Sequence, residues 1–487
     1  MVIRSFTLAL AAALLAACTV GPDYVRPDLP VPAEFARQQA GDAPAAVEQG
    51  GVARVSADAE FWLGFDDPVL TALVDESLRA NHDLRIALSR YDSANALLRG
   101  ARLDRFPTVT AQASGVDGRS SADQAPGLAR DDREYERYEA GAALSWELDL
   151  FGRVRRGVEA RRAEAWASAS DLDAMQIAVV SEVVRTYADL RGQQERLRVA
   201  RGNADNQRET LRLVQALFDA GRGTEFDTSR ARAQLEATLA RVPALESSVA
   251  VAMHRLAVLS GRPPAALIAQ LDAPRPLPTL PDRLDADAPG TVLRRRPDVA
   301  AAEHRLQAAT ARIGVATADL FPKFTLSGLV GSQAIDAGSL FERDSETGFV
   351  ALGVDWSFLD VGRVRARIAA ADADAEGELA RYQQAVLVAL EETENALIRY
   401  ARARTEDGHL ERAAADSANA ARLARLRFDA GAADLLEVLD AERTRLQAED
   451  AFADARTRSV VAAVGVYRAT AGGWPDRTPN RVKIADR

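Results

Sequence analysis

The chain has 487 residues, 47% hydrophobic and 27% charged, with a formal net charge of −10. That is enough for two or three ordinary domains, and an acidic balance with arginines interleaved among aspartates and glutamates argues against a nucleic-acid partner. One cysteine excludes an intrachain disulfide, and the scattered His82, His254, His304 and His409 offer no metal spacing, so neither a cofactor nor an enzyme's catalytic constellation is expected.

Arg4 precedes an apolar stretch from Leu8 to Ala17, the layout of a secretory signal peptide over residues 1–17. Leu15-Ala16-Ala17-Cys18 then resembles a bacterial lipobox, which makes Cys18 the first mature residue, carrying diacylglyceryl and N-acyl chains; a buried free thiol is the plainer alternative. Each buried methylene contributes about 0.8 kcal/mol, so several acyl chains anchor stably. Thr19, rather than Asp, follows the cysteine, which in such lipoproteins implies delivery to the outer membrane. A proline-rich arm fills residues 18–60, with Pro22, Pro27, Pro30, Pro32 and Pro44 disfavouring regular structure. Past the signal no apolar run reaches the roughly 18 to 20 residues a membrane helix needs, which leaves a β-barrel open.

Two motifs then occur twice at one constant offset. Trp146 begins a run ending Gly152-Arg153-Val154-Arg155, and Trp356 begins one ending Gly362-Arg363-Val364-Arg365; Phe218-Asp219-Ala220-Gly221 returns as Phe428-Asp429-Ala430-Gly431. The chain reads as a duplication, with one repeat over 61–290, a second over 291–474 and a tail at 475–487. Each repeat runs helix, strand, strand, long helix, helix.

A helix over Leu73 to Arg105 must stop before Phe106-Pro107, because proline disfavours helical geometry in its predecessor, and its counterpart stops before Phe321-Pro322. From Ala140 the period changes to two: Ala142, Leu144, Trp146, Leu148 and Leu150 alternate with polar or small residues, as do Val350, Leu352, Val354, Trp356 and Phe358. Thr108 to Val116 and Lys323 to Val330 show the pattern more weakly, with loops expected at 117–133 and 332–347. These runs fit either hairpins half-buried on a soluble core or membrane strands, for which about ten residues is the crossing length. Membrane strands demand oligomerisation, since four cannot close a barrel and bare edges in lipid cost several kcal/mol per group.

Gly152 and Gly362 fall where strand must turn into helix, and glycine accepts the required dihedrals. From Arg153 to Asp219, and again from Arg363 to Asp429, apolar residues recur at three- and four-residue steps without proline. About 67 residues at roughly 1.5 Å each make a rod of about 100 Å. Val180, Val183, Tyr187, Leu190, Leu211, Val214 and Phe218 mark one seam, and Val386, Leu390, Thr393, Leu397 and Tyr400 the other. The rods end at Gly221 and Gly431, glycines of the helix-reversing kind. Thr224 with Asp227, and Asp434 with Glu437, read as capping boxes for the returning helices, the first of which should kink at Pro243.

On these residues the chain resembles the outer membrane factor family of Gram-negative tripartite efflux systems, TolC and more closely the lipidated OprM and NodT type. The likeness runs through Cys18-Thr19-Val20-Gly21-Pro22-Asp23-Tyr24, Phe65-Asp66-Asp67-Pro68, Trp146 to Arg153, Arg241-Val242-Pro243-Ala244-Leu245-Glu246, Arg295-Arg296-Pro297-Asp298-Val299, Ala311 to Ala316 and Gly472-Gly473-Trp474. It implies a mixed α and β membrane protein: a homotrimer whose chains each give four strands to a twelve-stranded outer-membrane β-barrel, continued by a long periplasmic α-helical barrel. Implied partners are outer membrane lipid, a periplasmic adaptor (membrane fusion) protein and an inner-membrane RND-type transporter.

In such proteins carboxylate rings narrow the periplasmic end, on the helix after the second tip. Here Glu437 and Asp440 stand one turn apart on that helix, and three copies would form two acidic rings that resist full ionisation and attract cations. Glu437 serves equally as a cap, Asp440 has no capping use, and Asp227 is divided between cap and gate. Some relatives place an arginine two residues past the second tip glycine, where this chain has Ala433. A passive efflux duct is the main expectation. A type I protein-secretion exit channel and a pore-less periplasmic scaffold lipoprotein are the alternatives.

Overall fold

The computed structural model describes residues 19–36, 60–278, 284 and 287–471. The signal peptide 1–17, Cys18, the arm between 37 and 59, Gly472-Gly473-Trp474 and the tail 475–487 lie outside the described residues. The chain divides into two compact units that do not follow the two repeats. One takes the arm up to Asp28 with Arg90–Ala169 and Ala301–Gln383; the other takes Leu29–Ser89, Ser170–Ala300 and the chain from Gln384 onward.

The first unit holds one antiparallel sheet, β1 (Thr108–Arg119), β2 (Glu134–Leu148), β3 (Lys323–Ala334) and β4 (Glu346–Asp355), in the order β1-β2-β3-β4. The strands run further toward the hairpin loops than alternation predicted, because the extra residues are held by cross-strand partners. Arg119 pairs with Glu134, and the Tyr138 and Tyr135 rings lie over Gly115 and Gly118. Trp356 and Phe358, expected within β4, fall past its end.

The register gathers most of the apolar positions on one face, with Leu329 and Phe349 paired on the other. Val109 sits opposite Leu144, Leu144 opposite Gly328 and Gly328 opposite Val350, while Trp146, Leu326 and Leu352 form the next row. The other face carries Thr110, Gln112, Ser145, Glu147, Thr325 and Ser327. Within one chain this apolar face goes largely uncovered, Val350 being 81% exposed, and the outer edges of β1 and β4 have no strand partner among the described residues.

The duplicated tryptophans do one job twice. Trp146 Nε1 donates to the Arg105 carbonyl and Trp356 Nε1 to the Leu320 carbonyl, both at 3.0 Å, each carbonyl belonging to the residue before a Phe-Pro pair. The indole thus ties the outgoing strand of each hairpin to the end of the helix that enters it.

The second unit buries an apolar core in which Phe61, Trp62, Leu70 and Leu73 pack with Val180, Val183, Tyr187 and Leu190, and with Leu256, Val464 and Tyr467. Phe61 stacks on Tyr467 at 4.5 Å. The helix expected over Leu73 to Arg105 is two helices, α1 (Pro68–Ala80) and α2 (His82–Leu103). Asn81 breaks it: its Oδ1 accepts from the Asp83 and Leu84 amides and its Nδ2 donates to the Leu259 carbonyl at 2.9 Å, satisfying a buried side chain that helical geometry would strand. Asp67 caps α1 from its other end and accepts the Tyr187 hydroxyl at 2.5 Å; burial, with that bond, pushes the Tyr187 phenol up to about 12.

The long helices are α3 (Arg153–Asp219) and α7 (Val361–Asp429). Their seams are buried from Val180 to Leu190 and at Val386, Thr393 and Tyr400, but Phe218 near the first tip is exposed. The first returning segment is broken outright into α4 (Glu225–Leu239) and α5 (Val242–Leu259), with Pro243 in the first turn of α5, where a missing N–H costs nothing. Together these two helices are apolar and long enough to pass for a membrane span by composition, contrary to expectation, yet α5 buries Val249, Met253 and Leu256 in the core. The second returning helix, α8 (Leu435–Thr470), is unbroken. α6 (Pro297–Ala318) opens on the Arg296-Pro297-Asp298 motif, and buried Arg296 pairs with Asp298 and Glu392 at 2.6 Å and donates to the Ala469 carbonyl at 3.0 Å.

Candidate functional site

Each tip is a helix stop built from backbone. At the first, the Arg222 amide donates to the Leu217 carbonyl and the Gly221 amide to Phe218, both at 2.8 Å; at the second, Ala432 donates to Arg427 at 2.8 Å and Gly431 to Phe428 at 2.9 Å. This double closure needs a left-handed residue, and Gly221 and Gly431 have φ of 70° and 71°.

Beyond the glycines the tips differ. Thr224 and Asp227 form a reciprocal capping box: the Asp227 amide donates to Thr224 Oγ1 and the Thr224 amide to Asp227 Oδ2, both at 3.2 Å, with the Thr224 hydroxyl adding a 2.6 Å bond. At the second tip only half of that box exists. Asp434 accepts from the Glu437 amide at 2.9 Å, but the Glu437 carboxylate turns to Arg427, whose guanidinium also reaches the Ala432 carbonyl. The expected second capping box is therefore corrected, because an arginine in the last turn of α7 competes for the acid.

Asp440 pairs with Arg443 at 2.5 Å, one turn along, and both side chains remain more than half exposed. The sequence reading missed both arginines: Arg443, three residues after its acid, is a legible helical pair, whereas Arg427 precedes Glu437 by ten residues across the tip. The acids at the second tip thus carry their own counter-ions. Exposed pairs of this kind are worth about 0–1 kcal/mol, so they can be exchanged.

The strand-to-helix turns are not alike either. Gly152 has φ 85°, and a Cβ there would come 2.7 Å from Thr19 Cγ2. Gly362 lies inside α7 with ordinary helical geometry and open space around it, so the expected dihedral role holds no reason there. Arg153 and Arg155 bond Glu147 and Asp149, and Asp149 accepts the Val154 and Arg155 amides at the start of α3. Cys18 lies outside the described residues. Among the described residues no cluster of His, Cys, Asp or Glu is placed to hold a metal ion.

Comparison with known proteins gives one consistent result. The family described as "Outer membrane efflux protein" matches residues 73–262 and again 288–472. Outer membrane protein OprJ of Pseudomonas aeruginosa is 33% identical over 480 residues, covering 96% of this chain and 95% of its own. Nodulation protein T of Rhizobium leguminosarum bv. trifolii is 31% identical over 440 residues, covering 88% and 89%. The solved outer-membrane channel OprN superimposes with a TM-score of 0.84 at 42% identity, covering 94% of this chain and 100% of that one.

Proposed function

The chain belongs to the outer membrane efflux protein family, and from that premise we propose that it is the outer-membrane exit duct of a tripartite efflux system. It spans the outer membrane, reaches into the periplasm and passes drugs or other small molecules outward, driven by an inner-membrane RND-type pump through a periplasmic adaptor. The duct is passive and needs no cofactor or chemistry of its own.

The observation that carries this reading is a four-stranded sheet with one largely apolar face and two edges that have no strand partner among the described residues. An unpaired edge in hydrocarbon costs several kcal/mol per backbone group, and closed membrane barrels need about eight strands or more. Three copies set edge to edge supply twelve strands, apolar toward lipid and polar toward the lumen. Repeats 61–290 and 291–474 from each copy then form a wall of quasi-sixfold helices. Exposed Phe226, Leu423, Leu426 and Leu436 near the tips offer apolar footing for the adaptor. Acylated Cys18 adds a lipid anchor.

Asp440 and Glu437 are the gate candidates, with Asp227 committed to its cap and so less available. In this reading the closed second tip is held partly by Arg427–Glu437 and Arg443–Asp440, pairs weak enough to part when the adaptor engages. Conductance of the purified protein in planar bilayers is the test. Discrete channels are expected from the wild type, with Asp440→Ala raising conductance roughly several-fold at unchanged heat-modifiable migration. A water-soluble monomer needing no detergent, or silence from every variant, removes the duct; unchanged gating in Asp440→Ala removes only that residue.

A further inference from the structure

The first strand foot receives the N-terminal arm in a fitted groove. The Val20 amide donates to the Phe151 carbonyl at 3.2 Å. Arg156 donates from Nε to the Val20 carbonyl at 3.2 Å, and from Nη2 to the Gly21 carbonyl at 3.2 Å and Asp23 Oδ1 at 2.7 Å, while Nη1 bonds Glu159 at 2.8 Å. Its side chain is 4% exposed.

Glycines make the groove close-fitting. Gly21, at φ 87°, lies so near the Gly314 backbone that a Cβ on it would overlap Gly314 Cα; a Cβ on Gly314 would come 2.8 Å from Arg156 Cγ; Gly152 stands against Thr19. Further along, the Tyr24 hydroxyl donates to Glu303 at 3.3 Å and Arg26 pairs with the same carboxylate at 2.9 Å.

The other foot lacks these parts. Aligning the Gly-Arg-Val-Arg motifs sets Ala366 where Arg156 stands, and aligning the Phe-Pro pairs sets Arg99 where Gly314 stands. There is no donor fork, the glycine floor is replaced by a long side chain, and Gly362 is helical. Phe358 and Leu359 are left exposed there, whereas Phe151 stacks on Phe321 at 4.7 Å.

We infer that Arg156, Gly152 and Gly314 form a peptide-binding socket for Thr19–Asp23, present once per chain, which breaks the equivalence of the two repeats and fixes the arm at the first foot. Its ligand class is an extended peptide offering two consecutive carbonyls, a left-handed glycine and a carboxylate two residues later. A guanidinium answers that pattern with a planar fork, which no other side chain supplies. The socket stands on its own geometry. That it also sets where an acyl group enters the membrane rests on lipidation of Cys18.

Chymotryptic cleavage after Tyr24 in the full-length protein, in detergent, reads release of the arm. Gly21→Ala and Arg156→Ala should each speed cleavage about tenfold or more, and Arg156→Lys by less, since an ammonium keeps the Asp23 pair but not the fork. Gly362→Ala, at the other foot, should leave the rate unchanged. The inference is overturned if wild type is cut as fast as Gly21→Ala while both keep the same far-ultraviolet circular dichroism. Because Gly21→Ala alters the arm alone, it decides the matter even where Arg156→Ala does not fold.

Discussion

The two hairpin tips start from the same four residues and arrive at different chemistry. Both close on a left-handed glycine with the same two backbone bonds. The first then locks Asp227 into a cap and breaks its returning helix near Pro243; the second diverts Glu437 to Arg427 and runs unbroken for 36 residues. A duplication preserves the backbone solution, which few residues can supply, while side-chain partners drift because many pairings serve equally well. A gate is accordingly sought where acids are held by exchangeable arginines, not where one is tied into a cap.

The same contrast at the strand feet predicts the largest effect. Gly152→Ala should cost about 2 kcal/mol, for a left-handed alanine pressed on Thr19, whereas Gly362→Ala should add up to about 1 kcal/mol of helix stability. Denaturant melts of the two variants measure this, and equal shifts would erase the distinction between the feet. Next come the caps. Thr224→Ala removes the hydroxyl that accepts from the Asp227 amide and donates to its carboxylate, leaving only the Thr224 amide half of the box, and should cost about 1–2 kcal/mol, against about 1 kcal/mol for Asp434→Ala, with hydrogen exchange in the first turns of α4 and α8 as the local readout.

The smallest effect compares the long helices, where Asp189 and Arg399 occupy matched positions. Burial holds the Asp189 carboxyl above its ordinary range, Arg185 at 3.4 Å partly offsets this and Glu182 adds to it. A raised folded value means that the group's contribution is full below the unfolded value and is lost as pH rises through the folded one. Asp189→Asn should therefore flatten the fall in stability above about pH 4, by less than about 1 kcal/mol because the side chain is 40% exposed. Arg399→Gln should leave that slope intact. Denaturation across a pH series separates them.

Much of the architecture was legible because it rests on local rules. The proline-free span from Arg153 to Asp219 is α3 to the residue, the glycine stops lie where Phe-Asp-Ala-Gly placed them, and period-two alternation found all four strands. The misses share a cause. Asn81 breaks a helix because a distant carbonyl, that of Leu259, lies within its reach; Glu437 leaves its cap because Arg427 stands across the tip. Neither partner is visible along a single period.

The spans of the two long helices, the main strand faces and the tip glycines follow from the sequence alone, since backbone geometry and hydrophobic period are decided within a few residues. Tertiary structure alone decided which acids have partners, why Gly152 and not Gly362 must be glycine, and that Arg156 clasps the arm. Those outcomes depend on segments far apart in the chain competing for the same donors and the same space.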